Sequence, residues 1–167
     1  MTWHVAQVNV ARALDDLDSP QLAEFMNNLD RINALAEASP GFVWRLQSDA
    51  GNATDIQVGD DARFIVNLSV WETPEALFDF VYRTAHTKIM AQRRQWFEKP
   101  GLAHQVLWWV PAGREPTVDE ALAKLAVLDR LGPSPAAFTF KQRYPAPDQP
   151  AAAPDDMKPD PHCVGWA

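Results

Sequence analysis

Residues 63–71, Arg-Phe-Ile-Val-Asn-Leu-Ser-Val-Trp, constrain the fold more than any other stretch of the chain. Successive side chains of a strand point to opposite faces. Phe64, Val66, Leu68 and Val70 therefore make one wholly apolar face, and Arg63, Ile65, Asn67, Ser69 and Trp71 a mixed one. A first strand at 3–10 divides the same way, with His4, Ala6, Val8 and Val10 set against Trp3, Gln7 and Asn9. The apolar face calls for a layer of helices. The mixed face is too apolar for open water and too polar for a dry core. A second copy of the sheet packed over it resolves that conflict and predicts a homodimer around a semi-polar interior.

The rest of the chain supplies the other elements. Ser19 and Pro20 are a helix start, followed by Leu22, Phe25, Met26, Leu29, Ile32 and Leu35 at helical spacing. Ser39, Pro40 and Gly41 end it, and a second strand spans 42–47. The polar loop 48–61 has room for a short hairpin. Thr73, Pro74 and Glu75 open a second helical region, which is expected to break near Arg83 and Thr84 because an unbroken helix from 74 to 97 would be unusually long. A fourth strand at 105–110 ends in Pro111. Thr117 and Glu120, three apart, form a capping box for a third helix that stops at Gly132 and Pro133. A last short strand is expected at 138–144. The order strand–helix–strand–strand–helix–strand predicts an α+β, ferredoxin-like antiparallel sheet with helices on one face. The domain is placed at 1–144. Residues 145–167, where six of the fourteen prolines fall, form a proline-rich tail expected to be disordered or draped over the surface.

Composition removes several classes of function. A net charge of −7 argues against nucleic-acid or anionic-membrane partners. No apolar run approaches the roughly 20 residues that span a bilayer, and the first residues lack a signal-peptide pattern. The single cysteine, Cys163, has no intramolecular partner, which fits a reducing, cytoplasmic setting. Its neighbour His162 does not make a metal site with it, since further ligands are lacking. The basic run Arg93-Arg94, with Lys88 and Lys99, is the solvated side of a helix or, more sharply, a phosphate or carboxylate clamp. Gly-rich phosphate loops and HExxH, CxxC and GxSxG motifs are absent from the sequence.

Six runs carry a family resemblance: Ser39-Pro-Gly-Phe-Val-Trp44, Val66-Asn-Leu-Ser-Val-Trp-Glu72, Phe80-Val-Tyr-Arg-Thr-Ala-His86, Arg93-Arg-Gln-Trp-Phe97, Leu107-Trp-Trp-Val-Pro111, and Gly132-Pro133 with Ala137-Phe-Thr-Phe140. Over residues 3 to 144 the chain resembles an uncharacterised bacterial family, the domain of unknown function 3291. That family lies in the dimeric α/β-barrel superfamily of the antibiotic-biosynthesis monooxygenases. The resemblance implies the fold and a homodimer. The wider superfamily spans cofactor-free oxygenases, haem-degrading monooxygenases, chlorite dismutases and isomerases, so fold alone does not select an activity.

His86 is the candidate catalytic residue, as a general base or, when neutral, a ligand. Tyr82, His86, Met90 and Arg93 share one helical face at spacings of three and four. The plainer alternative is a partly buried histidine bonded to a backbone carbonyl. A cofactor-free monooxygenase acting on a small aromatic or apolar molecule would use Trp71, Phe80, Trp108 and Trp109 as pocket walls. His86 would be its base and Asn67 or Arg93 would hold the anion. No cofactor is then expected. Haem is the alternative that the haem-degrading relatives suggest, through a first-strand asparagine, here Asn9, and a helical histidine, here His86. Against it, Phe80 stands where those relatives have a tryptophan, and alternation places Asn9 and Trp71 away from the helix that carries His86. A third alternative is a non-catalytic small-molecule-binding or stress-response dimer.

Overall fold

The computed structural model describes residues 1–49, 51–54 and 56–150. His162, Cys163 and most of the proline-rich tail lie outside the described residues. The elements are β1 (Trp3–Arg12), α1 (Ala23–Glu37), β2 (Phe42–Arg45), β3 (Phe64–Trp71), α2 (Pro74–Arg83), α3 (His86–Ala91), β4 (Gln105–Pro111) and α4 (Val118–Leu131). A single 3₁₀ turn at Pro20–Leu22 leads into α1, so the predicted start at Ser19 holds with a tighter first turn.

The sheet has the order β2-β3-β1-β4 with every neighbouring pair antiparallel, a ferredoxin-like α+β arrangement. β1 lies inside the sheet and pairs on both edges. Val5 stands opposite Trp71 and Trp109, Gln7 opposite Ser69 and Leu107, and Asn9 opposite Asn67 and Gln105.

The two faces are covered differently. Ala6, Val8, Val66, Leu68, Val70, Val106, Trp108 and Val110 form the dry face, closed by Ala121, Leu125 and Leu128 of α4. On the other face, Val5, Trp71 and Leu107 pack against Ala36 of α1 and Leu77, Phe80 and Val81 of α2. Farther along that face, Ile65 joins Leu22, Phe25, Trp96 and Phe97.

This corrects the sequence expectation for the mixed face. The chain's own α1, α2 and α3 lie over it, so much of the face that called for a second copy is covered from within. Trp71, only 1% exposed, stacks on Phe80 of α2 at 5.1 Å instead of facing a partner sheet. Burying an aromatic of about 150–250 Å² at about 25 cal/mol per Å² stabilises the fold by about 4–6 kcal/mol as an upper figure.

Other differences are local. The strand expected at 138–144 is reduced to a bridge in which Leu107 and Phe138 exchange both backbone hydrogen bonds at 2.8 Å. The chain then turns, with the Gln142 amide donating to Thr139 Oγ1 at 3.2 Å. No hairpin forms among the described residues of the 48–61 loop. Thr117 caps α4 by accepting from the Glu120 amide, but the Glu120 carboxylate takes Trp108 Nε1 and Arg114 instead of reaching back. Residues 145–150 follow the body, with Ala146 buried and the N-terminal amine donating to Asp148 at 3.2 Å.

Gly41 pins β2 to the start of α2. Its φ is +79°, its carbonyl accepts from the Glu72 amide at 2.7 Å, and a Cβ built on it would stand 2.6 Å from Ala76 Cβ. Gly113 has a similar φ of +85° with open space around it. Gly41→Ala is therefore expected to cost about 2–4 kcal/mol, combining left-handed strain with overpacking, and Gly113→Ala only about 1–2 kcal/mol. Urea unfolding of both variants measures the difference, and equal costs would contradict the close approach at Gly41.

Candidate functional site

The mixed face leaves a hollow beneath α1, α2 and α3 with a volume of about 200 Å³. Its floor is the polar part of the sheet. Gln7 Nε2 donates to Ser69 Oγ at 2.9 Å and to Asn67 Oδ1 at 3.4 Å, and Trp71 Nε1 donates to the same Ser69 oxygen at 3.0 Å. Gln7 and Ser69 are buried, so this mutual bonding offsets the cost of removing both from water. Asn67 is exposed to the hollow, and Asn9 lies opposite it in register. The wall is aromatic. Phe42 meets Trp71 edge-on at 5.4 Å, Trp71 stacks on Phe80, and Phe80 lies 4.9 Å from the His86 ring.

His86 is placed by the break between α2 and α3. Thr84 leaves helical geometry at φ −119°, ψ −177°. Its hydroxyl donates to Phe80 O at 2.5 Å and accepts from the His86 amide at 3.2 Å. The Val81 carbonyl, without a continuing helix, takes Thr87 Oγ1 at 3.2 Å and His86 Nδ1 at 3.4 Å. A carbonyl only accepts, so in the neutral ring Nδ1 carries the proton and Nε2 keeps its lone pair. Burial lowers the His86 pKa from 6.5, opposed by the Val81 carbonyl. The imidazole is thus a neutral base at the edge of an aromatic wall.

The far end of the hollow is basic. Arg93 lies over the Phe97 ring at 5.8 Å, and burial lowers its pKa, although a guanidinium stays protonated at neutral pH. His104 precedes β4, and its pKa is lowered first by burial and then by the charge of Arg93.

Of the residues singled out in the sequence, Asn67, Trp71, Phe80, Tyr82, His86 and Arg93 all line this one hollow. Asn9 lines it too, so the expected separation of Asn9 and Trp71 from His86 does not hold: the helices cover the face those residues occupy. Trp108 and Trp109 do not line it. Trp108 is on the dry face, donating to Glu120 Oε1 at 3.1 Å. Trp109 donates to Tyr144 O at 2.9 Å beside Phe138. Sequence reasoning did not single out Gln7, Ser69 or His104 for the site. The cross-strand pairing of Gln7 with Ser69 was the available signal for the first two, and His104 had none. Among the described residues no cluster of three or more His, Cys, Asp or Glu side chains could hold a metal ion. No helix among them is long and apolar enough to cross a membrane.

A family model described as a domain of unknown function (DUF3291) matches residues 4–154, ten residues beyond the span expected from the sequence motifs. No curated protein matches the chain. Among solved structures, the chain is similar to SnoaB, a cofactor-independent oxygenase from Streptomyces nogalater, with 18% identity and a TM-score of 0.45 over 69% of this chain and 96% of that one. It is similar also to PA3566 from Pseudomonas aeruginosa, with 12% identity and a TM-score of 0.44 over 70% and 98%. NE2512, a protein of unknown function from Nitrosomonas europaea, matches with 14% identity and a TM-score of 0.43 over 70% and 97%. At these levels the likeness carries no argument about activity.

Both hollow-lining histidines have pKa values lowered from 6.5. The unfolded chain therefore binds protons more readily than the native one below that value, so their contribution to stability is present above pH 6.5 and is lost as pH falls through the lowered values. Denaturation between pH 7.5 and 5 is expected to show falling stability, with a flatter dependence in a His86→Gln/His104→Gln variant. Nitrogen-15 NMR at pH 7 is expected to find His86 as the Nδ1–H tautomer; an Nε2–H ring would contradict the Val81 contact.

Proposed function

The chain belongs to the family of the domain of unknown function DUF3291, and we propose that its hollow takes up a small aromatic molecule and deprotonates it at His86 Nε2. That deprotonation is the first step of a cofactor-independent, monooxygenase-type reaction with dioxygen. One observation carries this reading. A neutral imidazole with a free Nε2 lone pair ends the Trp71–Phe80 aromatic wall, beside a floor of amide and hydroxyl groups. The aromatic wall orients a planar ring. The Asn67 amide and the Arg93 guanidinium hold the oxyanion that deprotonation creates. The anion then gives electrons to dioxygen; one oxygen atom stays on the ring carbon as a carbonyl and the other leaves in water.

Haem fits less well. His86 and Asn9 line the same hollow, but about 200 Å³ falls below the range of roughly 300–1,000 Å³ usual for drug-sized ligands, and a porphyrin is larger than most of these. Hemin titration tests the alternative, and a Soret shift lost in His86→Ala would revive it. The family resemblance also implies a homodimer. With both sheet faces covered, its subunits would join through outer helix surfaces or sheet edges, and light scattering against the 18.7 kDa chain mass measures it.

The direct test uses 1-naphthol, a two-ring phenol. Its conversion with one dioxygen gives 1,4-naphthoquinone and one water. Oxygen uptake equal to quinone formed is expected, lowered about 100-fold or more in His86→Gln. The rate should rise with pH and level off once His86 is neutral. Binding seen by tryptophan quenching with no oxygen uptake would overturn the enzyme reading in favour of a non-catalytic binding protein.

A further inference from the structure

The hollow that holds His86 is sorted by charge. Its described lining residues include Arg45, Arg93, His86 and His104 and no carboxylate. Arg45 pairs with Glu37, whose Oε1 lies 2.8 Å from its Nε. Arg93 lies at the end away from Trp71, close enough to His104 for its charge to lower that histidine's pKa. Tyr82, His104 and Gln105 also line a second hollow, which continues to Lys99 and Lys141 and whose described lining likewise has no carboxylate. On α4, Asp129 accepts from the Ala103 amide at 2.7 Å and lines neither hollow. Among the described residues, a chain with 22 acidic and 15 basic residues thus places no acid in the lining of two hollows that share Tyr82, His104 and Gln105.

We propose that the two hollows form one anion-selective site, whose ligand is an aromatic carboxylate. The carboxylate sits between Arg93 and His104, the ring lies against Trp71 and Phe80, and the Lys99–Lys141 cleft is the mouth. This rests on the reading of the hollow as a small-molecule site and adds the chemical class of the ligand. Size supports a body of one or two rings. The ring end, the hollow at His86, holds about 200 Å³, and a dry cavity of about 150 Å³ takes up benzene, while the second hollow of about 410 Å³ serves as the approach. Electrostatics supports the anion, since clefts lined by one sign of charge concentrate ligands of the other. His104 adds a signature. A carboxylate bound beside it offsets the charge of Arg93 and favours the imidazolium, so binding takes up a proton and tightens as pH falls. The groups facing that position are Arg93, His104 and Tyr82, with His86 on α3, and Lys99 and Lys141 at the mouth.

The test compares 2-naphthoate with its uncharged isostere 2-naphthamide by calorimetry on the full chain. Naphthoate is expected to bind about 10- to 100-fold more tightly, the scale of one hydrogen-bonded charge pair. The preference should vanish in Arg93→Gln and survive in Arg93→Lys, with both variants checked for a native circular-dichroism spectrum. It should grow from pH 8 to 6, and His104→Gln should remove that growth. Charge reversal at the mouth, Lys99→Glu/Lys141→Glu, is expected to slow association at low salt. Equal affinity for acid and amide, or a preference that persists in Arg93→Gln, overturns the anion site while leaving the small-molecule reading intact. If neither compound binds, the small-molecule reading fails and the anion site with it.

Discussion

Everything in this structure depends on β1 being paired along both edges and, from Val5 to Val8, buried on both faces as well. A strand so placed has no solvent side, so each alternate set of residues needs its own cover. The set containing Ala6 and Val8 packs into an apolar cluster with Ala121, Leu125 and Leu128 of α4. The set containing Gln7 and Asn9 is not wholly apolar. Gln7 and Ser69 are buried; Gln7 Nε2 and the Trp71 indole both donate to Ser69 Oγ, which ties the three side chains together on this face. Helices cannot be pressed onto such a row without stranding the groups that still face upward, such as the exposed Asn67 amide. The hollow is therefore the packing consequence of a polar row on an otherwise buried face.

A second constraint sets what looks into that hollow. Had α2 continued, the Val81 carbonyl would have taken the amide of residue 85 and the histidine would have been one more helical side chain. Thr84 instead satisfies Phe80 O with its own hydroxyl, and the freed Val81 carbonyl collects Thr87 and His86. The helix break thereby selects the tautomer of the imidazole as well as its position. A backbone repair and a chemical assignment come from the same atoms.

These two constraints explain what the sequence revealed and what it hid. Alternation told which residues share a face, and every such grouping in β1 and β3 holds in the structure. It could not say which cover each face receives, because the stripes on α1 and α4 are both apolar and either could close either side. Assigning the mixed face to a partner sheet therefore separated Trp71 from His86, when one stacked phenylalanine joins them. The break at Thr84 was legible because a 24-residue helix was implausible for this domain. Trp108 and Trp109 misled for the reason alternation predicts: adjacent strand residues face opposite ways, and here one meets α4 while the other meets the segment around Phe138. His104 was invisible because it sits in a loop without periodicity, where only three-dimensional proximity to Arg93 gives it meaning.

The overall charge and the local charge then act at different ranges. At physiological ionic strength the screening length is about 8 Å, so the net charge of −7 governs what approaches the surface while Arg93 and His104 govern what settles in the hollow. A polyanion such as a nucleic acid spreads its charge over many screening lengths and meets the acidic exterior first. A small monoanion presents its whole charge within one screening length of the Lys99–Lys141 cleft, and its ring then leaves water for the aromatic wall. On the proposed reading, an acidic protein with a basic interior hollow filters by the extent of the charge as well as by its sign. That selectivity requires no contact beyond those the polar row and the helix break have already fixed.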